Sequence, residues 1–168
     1  MASNFKMGRG TKLCHVPVLL MIAKYTIRLL ITKRLLDAKV LLNNRRYLAC
    51  IYMAGYALEL TFKYRISRIM QFHRGFPENK SEFDAYYSDT RKILLRTTIR
   101  ELRDIRHHNL PLLLRYSGEQ VNIENRFREE WKVVKDWDPG MRYTNPIIRK
   151  QKAVDFLKNC RTIINQII

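Results

Sequence analysis

Acidic residues are scarce in this chain. Only 15 Asp and Glu stand against 32 Lys and Arg among 168 residues, a formal net charge of +17. A field of that size favours polyanions: nucleic acid, an anionic membrane surface or an acidic protein partner. The imbalance is uneven. Residues 1–50 carry ten basic residues and Asp37 as their sole acid, a net of +9, whereas 51–100 and 101–168 net +4 each. Cysteine is also scarce: Cys14, Cys50 and Cys160 are odd in number, widely spaced and form no C-x-x-C pair. That argues against a disulfide framework or a zinc site and suits a reducing, cytoplasmic setting. No cofactor is expected, because no glycine-rich phosphate loop and no histidine pair at metal-ligand spacing occurs; His15 and His73 stand apart. Long apolar runs are missing too. Leu13–Ala23 and Tyr47–Leu58 are the longest stretches without charge, and both fall short of the roughly 18–20 residues of a membrane span. The basic start followed by Val16–Ala23 faintly suggests a signal peptide, but Lys24 and Arg28 follow at once, so no targeting is expected.

What is present reads as helix. Residues 1–15 form a basic arm whose Gly8 and Gly10 discourage helix, and 16–168 a single domain. Pro17 suits a helix start, and apolar residues recur at helical spacing from Val18 to Leu42 until Asn43–Asn44. Its basic face (Lys24, Arg28, Lys33 and Arg34) is read as solvated beside a core or dimer stripe rather than as a membrane surface. A second helix is predicted over Arg45–His73. Its first half, Tyr47–Leu58, is apolar on every face, which marks a central helix, and Gly55 within it implies close approach by a neighbour. After the loop at Gly75–Asn79, helices are predicted over Glu82–Arg106, Leu110–Tyr116 and Val121–Lys135, with Asn109 as N-cap of the short one. Asp138-Pro139-Gly140 is a turn, and the last helix opens with Asn145 as cap and Pro146 at its first position. No strand-like alternation occurs, so the fold class is all-α, a bundle of four to five helices.

Four features in order carry a resemblance. They are Leu36-Asp37-Ala38-Lys39-Val40-Leu41-Leu42 with Arg46-Tyr47; Tyr52-Met53-Ala54-Gly55-Tyr56-Ala57-Leu58-Glu59-Leu60 with Lys63; His108-Asn109-Leu110 opening a helix; and Trp137 ahead of Arg142-Tyr143 and a terminal helix. Over about residues 35–168 the chain resembles the HEPN family of small helical bundles; residues 1–34 lie outside the match. Family members often carry Asp where this chain has Asn109, and both are strong N-caps. The resemblance implies a homodimerising bundle often encoded beside a minimal nucleotidyltransferase. Some members are metal-independent endoribonucleases of toxin–antitoxin or defence systems; others are non-catalytic accessory modules that dock an antitoxin or nucleotidyltransferase partner.

The nuclease branch carries Arg, a polar residue, three further residues and His, a pattern that Arg103-Asp104-Ile105-Arg106-His107-His108 fits. RNA cleavage without metal needs a base for the 2′-hydroxyl proton, a donor for the leaving oxygen and a cation on the phosphate; histidine suits the proton steps and arginine the phosphate. Arg103 and His108 are therefore the candidate catalytic pair, oriented by Asp104, with a second copy completing the site. On a continuous helix Arg103 and His108 would stand about 140° apart, so a helix end or kink must bring them together; His107 shares a face with Arg103 or Arg100 and is the alternative. A structural role for His108 beside the Asn109 cap is the competing reading. Lys6, Arg9 and Lys12 in the arm, with Arg100, Arg106 and Arg142, are candidates for RNA phosphate contact. Glu59 and Lys63, one turn apart with the acid first, are read as an ion pair tying helices together, with a functional part for Glu59 near the motif in a dimer cleft as the alternative. Arg142-Tyr143 is read as an anchor of the last loop against the bundle, and Cys50 as an inert core thiol.

Overall fold

A computed structural model of the protein describes residues 22–87, 99, 101–144 and 146–168. Among these the chain forms seven α-helices and no strand. Helices α1 (Lys24–Asn43) and α2 (Tyr47–Ile69) make a hairpin whose turn needs Arg45 in the left-handed region at φ +59°. Gln71, also left-handed at φ +52°, closes α2, so this helix is shorter at both ends than the spacing alone implies. The expected first-helix start at Pro17 and Val18 lies outside the described residues, as do Cys14, Lys6, Arg9, Lys12 and Arg100.

Two backbone hydrogen bonds between Ile22 and Phe76, at 3.3 and 3.0 Å, fasten the entry of α1 to the loop after α2. That loop is organised by aromatic side chains. Phe72 stacks near Tyr86, whose hydroxyl donates to Gly75 O and accepts from Arg74 N–H. Helix α3 (Lys80–Tyr87) begins with a reciprocal cap: Asn79 accepts from the Glu82 N–H, and the buried Glu82 carboxylate accepts from Glu78 N–H and the Asn79 amide.

The long third helix expected through Arg106 does not continue over the described residues that follow. Glu101 is extended and starts a separate 3₁₀ turn at Leu102–Asp104, in which the Glu101 and Asp104 side chains cap each other's backbone N–H groups. Helix α4 (Leu110–Tyr116) matches its expected bounds, with the Asn109 side chain accepting from Leu112 N–H at 2.9 Å and Gly118 reversing the chain at φ +72°. The next expected helix is two: α5 (Gln120–Arg126) and α6 (Arg128–Val134) are separated because Phe127 leaves the helical basin at φ −127°, ψ 35°. Pro139–Tyr143 forms a 3₁₀ turn, capped where the Asp138 side chain accepts from Gly140 N–H. Helix α7 (Lys150–Ile167) starts at Lys150, four residues beyond Pro146; Ile147 is 99% exposed and stands outside the helical core. The cap expected at Asn145 lies outside the described residues.

Helix α2 occupies the centre, packed by α1, α4 and α7. Twelve of its 23 residues are buried, including Glu59, Thr61 and Ser67. Thr61 and Ser67 satisfy their hydroxyls on carbonyls four residues earlier, as buried polar side chains require. Cys50 faces Cys160 of α7 across this core; both thiols are free, and burial pushes Cys50 up to about 11 and Cys160 well above the ordinary range. None of the described helices is long and apolar enough to cross a membrane.

The close approach implied by Gly55 is made by Trp137. A β-carbon at position 55 would collide with the indole, its Nε1 foremost. That nitrogen is buried without a hydrogen-bond partner among the described residues. Replacing Gly55→Ala should therefore destabilise the protein by roughly 1–3 kcal/mol through overpacking, although alanine is the better helix former. Urea denaturation checks this; an unchanged or raised midpoint would show that the indole moves aside freely.

Candidate functional site

Glu59 lies just past the middle of α2, with 1% of its side chain exposed. A buried carboxylate has to be paired. Its Oε1 accepts from the Lys63 ammonium at 2.7 Å, one turn along, and its Oε2 meets His108 Nδ1 at 2.9 Å. The Glu59–Lys63 pair is thus the intrahelical one the spacing suggested, while His108 arrives from 49 residues away, just ahead of the Asn109 cap. His108 is 56% exposed, and its Nε2 has no hydrogen-bond partner among the described residues. A carboxylate accepting from Nδ1–H holds the ring in the tautomer that presents Nε2 as a base.

These groups line a cavity of about 280 Å³ together with Tyr56, Phe76, Glu78 and Arg106. Tyr56, Glu59 and Lys63 fall on one face of α2 because their spacing is three and then four residues. Burial, then the Glu59 charge, pushes the Tyr56 hydroxyl above its usual pKa, so it stays protonated. Lys63 Nζ lies 5.7 Å over the Phe76 ring and retains donors beyond the one given to Glu59. The Arg106 guanidinium stands 4.0 Å from Glu78, a loose ion pair at the mouth.

Arg103 does not share this cavity with His108 in one chain. It is 81% exposed, pairs with Glu101 at 2.9 Å and lines a separate depression with Lys80, Phe83 and Asp84. The cause is the 3₁₀ turn at Leu102–Asp104, which breaks the chain's course before His108 and carries Arg103 to another surface. Asp104 is occupied in capping that turn. His107 is occupied as well. Its Nδ1 accepts from Asn109 N–H at 3.1 Å, and its Nε2 donates to Asp104 O at 2.9 Å. Burial first, then the nearby Lys63 and His108, lowers its pKa, so the neutral ring is a backbone strut. Of the pair Arg142-Tyr143, Arg142 makes the contact with the bundle: it donates to the Tyr52 hydroxyl at 3.3 Å and lies 4.7 Å over the Tyr143 ring, which is itself 80% exposed. Tyr56 and Glu78 were not singled out from the sequence; the face shared by Tyr56, Glu59 and Lys63 was the readable signal for the first, and nothing local marked the second.

Among the described residues no group of three or more His, Cys, Asp or Glu is arranged to hold a metal ion. No protein-family model, curated protein or solved structure matches the chain.

The state of His107 makes stability depend on pH. Above the ordinary histidine pKa of about 6.5 the ring is neutral folded or unfolded, and its strut contributes fully. As pH falls below that value the unfolded chain takes up the proton first, so stability declines toward the lowered folded pKa. His107→Ala should cost roughly 1–2 kcal/mol at pH 7.5 for its two hydrogen bonds and make the fall in Tm from pH 7.5 to 5 shallower. Parallel pH profiles for both proteins would assign the decline to other groups.

Proposed function

We propose that the protein is a HEPN-like RNA-binding protein that cleaves RNA without metal at the Glu59–His108 cavity. The observation that carries this reading is the buried Glu59 carboxylate bonded to His108 Nδ1, in a cavity that Lys63 and Arg106 also line. In this scheme His108 Nε2 takes the proton from a ribose 2′-hydroxyl, whose oxygen attacks the adjacent phosphorus. Glu59 orients the ring and stabilises the imidazolium as it forms. Arg106, with Lys63, offsets charge on the phosphate oxygens, the role the linear motif gave to Arg103. The bond to the 5′ oxygen breaks, leaving a 2′,3′-cyclic phosphate, and the same motif in a second copy of the chain supplies the leaving group's proton. The net charge of +17 favours the RNA chain over neutral ligands.

A second reading has its own support. Tyr25, Leu29, Leu36 and Val40 are exposed on α1, within about 60° of one another around the helix. Arg28, Lys33 and Lys39 lie alongside. That stripe suits a non-catalytic accessory module docking an acidic antitoxin or nucleotidyltransferase partner.

RNA cleavage by purified protein in excess EDTA separates the two. The unmodified chain should cut, His108→Ala should lose at least about 10²-fold, and Arg106→Ala roughly 10²-fold, each with native helicity. Because His108 is one of the two donors to the buried Glu59, its removal should cost roughly 1–3 kcal/mol of stability, so cleavage is compared where both proteins are fully folded. Glu59→Ala leaves Lys63 buried and unpaired and should cost about 3 kcal/mol or more, so it is read by denaturation rather than by activity. Intact RNA with the unmodified chain, freed of any copurifying protein, removes the nuclease reading in favour of the accessory module.

A further inference from the structure

The turn between α1 and α2 contains a second cationic site. Arg45, Arg46 and Arg142 line a depression of about 490 Å³ with Tyr47 and Tyr52, and no acidic side chain contributes to it. None of the three arginines has a carboxylate partner among the described residues, although other basic groups of the chain, such as Arg34, Arg65 and Lys132, do. Arg142 is held in place without one: it donates to the Tyr52 hydroxyl and its guanidinium lies 4.7 Å over the Tyr143 ring. Three uncompensated guanidinium groups around one hollow repel each other, and an anion between them relieves that repulsion.

The backbone adds a separate observation. Arg45 N–H donates to Leu42 O at 3.1 Å and Arg46 N–H to Leu41 O at 2.8 Å, closing α1 with Arg45 at φ +59°. Glycine is the residue such a helix ending favours, and a side chain is disfavoured there. An arginine at a position where its own backbone conformation is unfavourable calls for a compensating role.

Placement says which anion. Tyr52 lines this hollow, and Tyr56, Glu59 and Lys63 line the His108 cavity on successive turns of the same face of α2. From Arg46 to Glu59 is about 20 Å along the helix at 1.5 Å per residue. A mononucleotide cannot reach from one to the other, whereas a single-stranded polynucleotide laid along that face meets both. We propose that Arg45, Arg46 and Arg142 form a phosphate-binding site for the backbone of a single-stranded RNA whose chain continues along α2 to the His108 cavity. The proposal rests on the RNA-binding part of the reading above and not on cleavage.

The test is fluorescence anisotropy with a labelled 12-nucleotide 2′-O-methyl oligouridylate, which cannot be cleaved through its 2′ oxygen, at 0.1 M salt with EDTA. The combined Arg46→Ala, Arg142→Ala chain should bind at least about ten-fold more weakly. Its slope of log K against log salt should be shallower by about 1.4, two contacts at roughly 0.7 each for single strands. Arg45→Gly should raise Tm by roughly 2–4 °C and still weaken binding several-fold, an opposition that a merely structural arginine would not produce. Equal affinity of the unmodified and doubly substituted chains overturns this site while leaving the RNA reading standing. Uridine monophosphate or inorganic phosphate binding as tightly as the oligomer overturns the polynucleotide assignment in favour of a free-phosphate site. No binding by the unmodified chain removes both this proposal and the RNA reading beneath it.

Discussion

Glu59 lies in a helix covered on nearly every side, and the cost of removing a carboxylate from water governs what surrounds it. Two donors have to reach its two oxygens. Lys63 does so from within α2, and its ammonium is itself largely withdrawn from solvent; His108 does so from the segment before α4. The loop that carries His108 is in turn fixed by His107, which clamps the backbone of Asp104 to that of Asn109, and by the Asn109 cap on α4. One buried charge thereby dictates the position of a chain segment 49 residues distant, and the cavity beside it follows from that requirement.

Local chemistry was legible wherever the chain itself supplies both partners. The Glu59–Lys63 pair, the Asn109 cap, the turn at Asp138 and the bounds of α4 all follow from spacings of two to seven residues, and each is present. Gly55 announced a neighbour without naming it, because Trp137 comes from another part of the chain. What was not legible shares one physical origin. The Glu101–Asp104 cap starts a fresh turn and sends Arg103 to a different surface from His108 within one chain. Phe127 likewise divides a stretch whose mixed charge looked continuous. Arg106, within the motif rather than its first residue, is the arginine that lines the His108 cavity.

Charge tells a similar story at larger scale. An excess of 17 positive charges does not by itself locate a site. The distinction lies in which cations are already answered by acids. Arg34, Lys63, Arg65, Arg103 and Lys132 are, whereas Arg45, Arg46 and Arg142 lie together without one among the described residues. The all-helical class was readable from periodicity and the bundle's centre from the apolar run at Tyr47–Leu58; the grouping of Arg142 with the α1–α2 turn was not, since only the folded chain brings them side by side.

The packing of α7 against α2 has a consequence for biosynthesis. The α1–α2 hairpin is complete once residue 69 has left the ribosome, but the α7 helix that covers its remaining apolar side begins only at Lys150. At ordinary elongation rates of about 5–20 residues per second, that side of the central helix stays uncovered for roughly 5–20 s until α7 is complete at Ile167. A nascent chain in that interval displays Cys50, Ala54 and their neighbours to whatever it meets. Its yield in a cell would then depend on chaperone capacity and elongation speed more than on the stability of the finished bundle.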